Sequence, residues 1–186
     1  MQIPLGVSNR HLHLNTSDYQ TLFGEQPLIK RNDLSQPGQF AAEQTVSLKT
    51  DKGQIDKVRL IGPLRPYTQV EISQTDAYKL GLNPPVRDSG NLDQAAVIEI
   101  IGPQGNVTKA AAIIAARHLH LTPADRKRMN LENTNEVKIQ LLGEKGAIFD
   151  NVRLKVDENY ALECHLDTDE ANSCLAKTGD WVEILQ

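Results

Sequence analysis

The feature that most constrains this chain is a repeated pentapeptide. Arg10-His11-Leu12-His13-Leu14 returns as Arg117-His118-Leu119-His120-Leu121, identical at every position. Self-similarity of this kind marks a fold built from related supersecondary units, so each half can be read against the other. Each copy is followed by the same helix start. Asn15 stands three places before Asp18 as Thr122 stands three places before Asp125, a cap residue followed by an acid that favours a helix N-terminus. Pro123 occupies the first helical position, where its missing N–H costs nothing, and Gly24 marks the end of the first helix.

A second correspondence follows the first. Lys52-Gly53 then Val58-Arg59-Leu60 resembles Lys145-Gly146 then Val152-Arg153-Leu154, and both read as β-hairpins turning at the glycine. Keeping that offset, Val70-Glu71-Ile72 falls on Cys164-His165-Leu166. Each is followed by another capped helix, one from about Thr75 to Leu80 ending at Gly81, the other starting at Asp167 and ending near Gly179. Each half therefore reads as a strand with His-x-His, a helix, a hairpin, a strand with one further ligand candidate, and a helix. The first half carries extra length over Glu25–Glu43, where Pro27, Pro37 and Gly38 mark loop. Between the halves, Val97–Ile101 and Val107–Ile114 read as strands joined by a turn at Gly102-Pro103-Gln104-Gly105. Many short strands with few helices predict a mainly β fold of barrels rather than a parallel α/β sheet.

The histidines point to metal. Alternate residues on a strand face one way, about 6.5–7 Å apart, so two such imidazoles can converge on one ion with Zn–N distances of about 2.0–2.1 Å. A third ligand from another strand completes a tripod and leaves room for substrate. The repeat nominates Glu71 in the first half and His165 in the second, giving the sets His11, His13, Glu71 and His118, His120, His165. All five histidines of the chain fall in the pattern. A solitary His-x-His on a strand is more often an exposed or hydrogen-bonded pair, so the duplication carries this inference. Imidazole and carboxylate ligands suit zinc, and also cobalt, nickel or iron. The closed cysteine cage of a structural zinc is absent, which leaves open, catalytic-type sites. Cys164 neighbours His165 but faces the other side of its strand and reads as a buried thiol.

Composition excludes several classes. With 20 basic and 24 acidic residues, a net charge of −4 and no basic run, nothing points to nucleic acid. No apolar stretch approaches the ~20 residues that span a bilayer, so no membrane partner is expected. The segment MQIPLGVSNRHLHL has neither the basic region nor the apolar run of a secretory signal. Two cysteines without a CxxC give no disulfide framework, and a reducing cytoplasm is the expected compartment.

With these residues in hand, the chain resembles the PduL-type phosphate propanoyltransferases, phosphotransacylases associated with bacterial microcompartments. The resemblance runs from Gly6 to Asp180. It rests on Gly6-Val7-Ser8-Asn9-Arg10-His11-Leu12-His13-Leu14, Leu34-Ser35-Gln36-Pro37-Gly38-Gln39-Phe40-Ala41-Ala42-Glu43, Gly62-Pro63-Leu64-Arg65 and Gln69-Val70-Glu71-Ile72-Ser73. It continues through Pro85-Val86-Arg87-Asp88-Ser89-Gly90, Ala116-Arg117-His118-Leu119-His120 and His165-Leu166-Asp167-Thr168-Asp169-Glu170-Ala171. The resemblance implies two β-barrels capped by short helices, a discontinuous one from residues 1–10 and 116–186 and another from residues 11–115, with a loop or small-sheet insertion near 25–43. It implies two zinc ions per chain, a homodimer, and reversible conversion of a short-chain acyl-CoA (propanoyl-CoA or acetyl-CoA) and inorganic phosphate to acyl phosphate and CoA.

The family's metal ligands fall on the six positions that the repeat nominates, and its phosphate-site arginine falls on Arg65. On this expectation the His118, His120, His165 set and Arg65 hold phosphate, the His11, His13, Glu71 set takes the CoA thiolate, and transfer is direct. Arg87 is a candidate contact to CoA phosphates. Arg10 and Arg117 point away from the metal by strand alternation, toward packing or ligand-supporting roles. The chain departs from the family after Ser89-Gly90, where Asn91-Leu92-Asp93-Gln94-Ala95-Ala96 replaces a small Gly- and Pro-containing turn; acyl or CoA binding is where that difference would tell. The first motif starts at Gly6, without the amphipathic extension of microcompartment-targeted members, so a cytoplasmic enzyme is expected over one in a microcompartment lumen. Without the resemblance, a metal-dependent thioester hydrolase and a non-catalytic metal-binding protein both stay open.

Overall fold

The computed structural model describes residues 1–185. In chain order the first part comprises β1 (Gln2–Ser8), β2 (His11–His13), α1 (Thr16–Phe23), β3 (Lys30–Asp33), β4 (Phe40–Lys49), β5 (Gln54–Gly62), β6 (Gln69–Glu71), α2 (Gln74–Leu80), β7 (Val86–Arg87), β8 (Ala96–Ile101) and β9 (Asn106–Ala115). The second comprises β10 (His118–Leu121), α3 (Pro123–Arg128), β11 (Glu136–Leu141), β12 (Ala147–Val156), β13 (Glu163–Asp167), α4 (Thr168–Ser173) and β14 (Trp181–Leu185). None of the described helices is long and apolar enough to cross a membrane.

The chain forms two compact units, one from Met1–Asn9 together with Ala116 onward, the other from Arg10–Ala115. The first is a closed barrel in the order β1-β13-β10-β12-β11-β14. In the second, β4, β5, β2, β6 and β9 are hydrogen-bonded in that order, and β8 bridges β9 back to β4. That closes a second six-stranded ring, with β3 and β7 appended to β4 and β9. The mainly β architecture of two helix-capped barrels read from the sequence is present.

The two rings are one pattern drawn twice. Reading β9, β6, β2, β5, β4, β8 against β1, β13, β10, β12, β11, β14, every neighbour pair keeps its sense. β6 runs parallel to β9 as β13 does to β1. β2 runs antiparallel to β6 and parallel to β5, as β10 does to β13 and β12. The chain, however, passes from β1 in one ring to β2 in the other, and from β9 back to β10. Each copy of the repeat has thus exchanged its leading strand.

Strand alternation explains why leucine sits between the histidines. Leu12 and Leu119 are fully buried in the cores of their barrels, each burial stabilising by roughly 1.5–3 kcal/mol, and the flanking imidazoles take the opposite face. Leu60, Val70 and Ile100 complete one core, Leu5, Cys164 and Ile139 the other.

Among the described residues, all four helices start from a side-chain cap. Asn15 accepts from Asp18 N, and Ser73 with Asp76, Thr122 with Asp125 and Asp167 with Glu170 form reciprocal capping boxes. Gly53 is required for a reason the hairpin reading did not contain. Gly53 closes the β4–β5 turn, accepting from Thr50 N at 2.9 Å, and a Cβ there would also lie 2.1 Å from Lys79 O, so the glycine admits the end of α2 as well. The helix expected from Asp167 to Gly179 ends earlier, at Ser173. Leu175 takes a left-handed φ of 59° and Ala176 N donates back to Ala171 O at 2.9 Å, which closes the helix before Gly179. The length over Glu25–Glu43 contains β3, a short strand antiparallel to β4.

Candidate functional site

Four short segments carry the candidate ligands, and each has the same grammar: a ligand, an apolar residue, then a helix cap. They read His13-Leu14-Asn15, Glu71-Ile72-Ser73, His120-Leu121-Thr122 and His165-Leu166-Asp167. The cap holds the chain as it leaves the strand, so the ligand sits at a defined point where strand gives way to helix. Cross-strand register then brings ligands from different strands together. His11 lies opposite Glu71 in one unit, and His118 opposite His165 in the other.

The result is two compact triplets. The ligand atoms of His11, His13 and Glu71 all lie within 4.8 Å of one another, as do those of His118, His120 and His165. In the first triplet the imidazole centroids are 5.2 Å apart and His11 Nε2 lies 3.6 Å from Glu71 Oε2. In the second the three ring centroids are 4.6, 4.8 and 5.0 Å apart. His13, Glu71, His118 and His120 are buried, while His11 and His165 are half-buried.

Protonation follows from burial. Desolvation, then the charges of His11 and Arg65, hold His13 well below the ordinary imidazole value. Desolvation, then Lys155 and the neighbouring rings, does the same to His118, and His120 is lowered to about 3, chiefly by burial and His165. Neutral imidazole is the ligating form. The hydrogen bonds also select tautomers. A carbonyl can only accept, so His13 Nδ1–H donates to Ile61 O at 3.1 Å and His118 Nδ1–H to Ala116 O at 2.8 Å. Each leaves its lone pair on Nε2. His120 Nδ1 is buried with no hydrogen-bond partner among the described residues, a costly condition for a polar atom unless something coordinates it. Neutral rings, directed lone pairs and this orphaned nitrogen together fit a divalent cation.

Arg65 belongs to the unit that carries His11, His13 and Glu71. Its Nη1 donates to Tyr67 Oη and Ser89 Oγ, both at 3.1 Å. Ser89 Oγ also accepts from Gln69 Nε2 at 2.8 Å, and the same amide nitrogen donates to Glu71 Oε1 at 2.6 Å. Gly90 N donates to Gln69 Oε1 at 2.7 Å. One hydrogen-bonded chain therefore runs from Arg65 through Ser89 and Gln69 to a candidate ligand.

Arg87 is engaged with the 91–96 loop. Its Nε donates to Asp93 O at 3.0 Å, its Nη1 to Val86 O at 3.0 Å, and its Nη2 lies 3.6 Å from Asp93 Oδ2. Arg10 pairs with Asp76 at 3.0 Å and Arg117 with Glu170 at 2.7 Å. Both acids are the third residues of helices that follow a third-ligand strand, so each arginine ties one ligand strand to the next helix. Cys164 is fully buried and its thiol is pushed up to about 12, mainly by burial, as suits a packing residue.

Sequence reasoning gave no role to Gln69, Ser89, Tyr67, Glu163 or Tyr160. The repeat held a signal for two of them. Gln69 and Glu163 stand two places before Glu71 and His165, on the ligand face of the strand, and lie opposite His13 and His120. Tyr160, with its ring centroid 4.4 Å from that of His120, comes from the loop between β12 and β13, whose counterpart between β5 and β6 has Pro66 at the matching position, so the repeat left no such trace.

A family model described as phosphate propanoyltransferase matches residues 4–177. The phosphate propanoyltransferase of Thermotoga maritima is 49% identical over 187 residues, spanning 99% of this chain and 89% of that protein. That of Rhodopseudomonas palustris is 47% identical over 98% of this chain and 82% of its own length. That of Salmonella typhimurium is 46% identical over 92% and 82%. These matches place the chain among the acyltransferase enzymes. Within that class, it belongs to the phosphate propanoyltransferase family.

Proposed function

We propose that the protein transfers an acyl group between CoA and inorganic phosphate, with propanoyl-CoA or acetyl-CoA as the thioester, at a site served by two zinc ions. His11, His13 and Glu71 would hold one ion and His118, His120 and His165 the other. Bound zinc supplies Lewis acidity toward the thioester carbonyl and an affinity for thiolate sulfur. The observation that carries the reading is the doubled triplet, in which burial keeps His13, His118 and His120 neutral and hydrogen bonds direct the lone pairs of His13 and His118, in a chain of this family.

The ligand sets differ in charge. Three neutral imidazoles leave the charge of a dication whole, which suits phosphate, whereas the Glu71 carboxylate offsets half of it, which suits a singly charged thiolate. Arg65 is the phosphate-gripping residue in this proposal, since a guanidinium binds two oxygens at once in a fixed plane. Tyr67 and Ser89 hold its Nη1 edge, which orients the remaining donors. In the forward direction a phosphate oxygen bonds to the thioester carbonyl carbon, the C–S bond breaks, and CoA departs with the electron pair as thiolate. No protein nucleophile is required, so both substrates are bound together before transfer. A contact from Arg87 to CoA phosphates would use guanidinium N–H groups other than those donated to Asp93 O and Val86 O.

The test is CoA release from propanoyl-CoA and acetyl-CoA by zinc-loaded protein, with and without phosphate. Release that depends on phosphate and yields acyl phosphate is expected. Equal release in both arms would reject transfer in favour of hydrolysis, and no release on any short acyl-CoA would reject catalysis of this kind.

A further inference from the structure

Glu163 has no part in the ligand sets, yet its placement is specific. It is buried on β13, two residues before His165, and faces His120 across the sheet. Its Oε2 lies 2.6 Å from His165 Nε2. A carboxylate oxygen accepts, so an imidazole proton resides on Nε2, and the ligating form of the ring then has its lone pair on Nδ1. This is the opposite tautomer from that of His118, whose Nδ1–H donates to Ala116 O.

Two further observations show that the contact is built into the fold. Gly6 lies opposite His165 on β1, and a Cβ there would come within 3.0 Å of Glu163 Cδ and 3.1 Å of His165 Cδ2. The neighbouring strand thus leaves out a side chain where this pair needs room. The other half carries the same device with its polarity reversed. At the position matching Glu163, Gln69 donates its amide proton to Glu71 Oε1 at 2.6 Å. A carboxylate ligand faces a donor, and an imidazole ligand faces an acceptor.

We infer that Glu163 is a positioning residue that holds the Nε2 proton of His165 and so presents Nδ1 as the ligating atom of the His118, His120, His165 site. Gly6 provides the space in which the pair sits. The inference rests on the reading of that triplet as a metal site.

Long-range 1H–15N spectra of the full-length, metal-free protein read the tautomer directly, and chelator competition reads zinc affinity. Wild type should show the Nε2–H form of His165. Glu163→Ala should shift the ring to a mixture and weaken zinc at one of two sites by about 10–100-fold, the range for loss of a ligand's hydrogen-bonding partner. Glu163→Gln, whose amide oxygen accepts the same proton, should stay within a few-fold of wild type in both readouts. Gly6→Ala should fall between. A role in packing alone would lower thermal stability and leave tautomer and affinity untouched, which would overturn the inference. So would Glu163→Gln losing as much zinc affinity as Glu163→Ala. His165→Ala separates the two levels of failure: if it binds as much zinc as wild type, the metal-site reading falls and the inference with it. If it loses one ion while Glu163→Ala keeps both at wild-type affinity, only the inference falls.

Discussion

The two triplets stand on equivalent strands, in equivalent register and before equivalent capped helices, yet they differ by one ligand. Where one has Glu71, the other has His165, and the surroundings have changed to match. Around Glu71 the neighbours donate, with Gln69 supplying an N–H and Ser89 and Gly90 holding Gln69 in place. Around His165 the neighbour accepts, and the strand alongside has shrunk to Gly6. Duplication supplied two equal frames, and the frames then specialised at one register position and the atoms touching it. In such a pair, the meaning of a residue is best read from its counterpart.

The comparison predicts unequal partners in one reaction rather than two redundant sites. If each triplet has its own duty, His13→Ala and His120→Ala should each lower phosphate-dependent CoA release by on the order of 10³-fold or more, well beyond halving it. Each should also remove one of two bound metal equivalents by elemental analysis; half-activity in either variant would break the division of labour. Next in size, Arg65→Ala should cost on the order of 10²–10³-fold in turnover, with Arg65→Lys recovering only part because an ammonium lacks the planar fork. Wild-type rates in Arg65→Ala would remove it from the site.

The equivalence of the barrels can be tested apart from chemistry. Leu12→Ala and Leu119→Ala remove matching, fully buried side chains, and each should destabilise the fold by about 2–5 kcal/mol in denaturant titrations. A large asymmetry would show that the rings are alike in topology but unlike in packing.

The smallest effect concerns a helix cap. Burial raises the Asp125 carboxyl, but hydrogen bonds from Thr122 and the adjacent Arg128 outweigh it and leave the group below its usual 3.8. A depressed carboxylate contributes stability above its unfolded value and loses it as pH falls through the folded one. Asp125→Asn should therefore cost about 1 kcal/mol at pH 7, and the gap to wild type should narrow below about pH 4. A gap that holds constant through acid would mean that the charge of Asp125 is irrelevant.

Much of this was legible in the sequence because the relevant signals are local. Strand alternation and the repeated pentapeptide place His11, His13, His118 and His120 on one face of two strands, and the offset of Val58 to Val152 carries Glu71 onto His165. The structure reproduces that register. Caps such as Thr122-Asp125 are written in consecutive residues and were equally readable. What the sequence withheld depends on distant approach. Gly53 reads as a turn residue, and it is one, but the need for its missing side chain is seen only when Lys79 O lies against it. The hydrogen bond from Arg87 Nε to Asp93 O likewise joins residues that no sequence pattern pairs. The helix after His165 seems to run to Gly179 because glycine is the usual terminator, yet Leu175 adopts the left-handed conformation first.

The exchanged strand has a consequence for how the protein is made. β1 is made before β2 to β12, but its partners β13 and β14 follow all of them in the chain. Until then its backbone amides and carbonyls form an open edge of the kind that recruits other chains, and pairing across so long a stretch of intervening chain is slow to nucleate. A nascent chain stalled after Ala115 could complete the ring of β2, β4, β5, β6, β8 and β9 while its N-terminal ribbon stayed unclaimed. Synthesis of β13 and β14 is thus what retires the hazard.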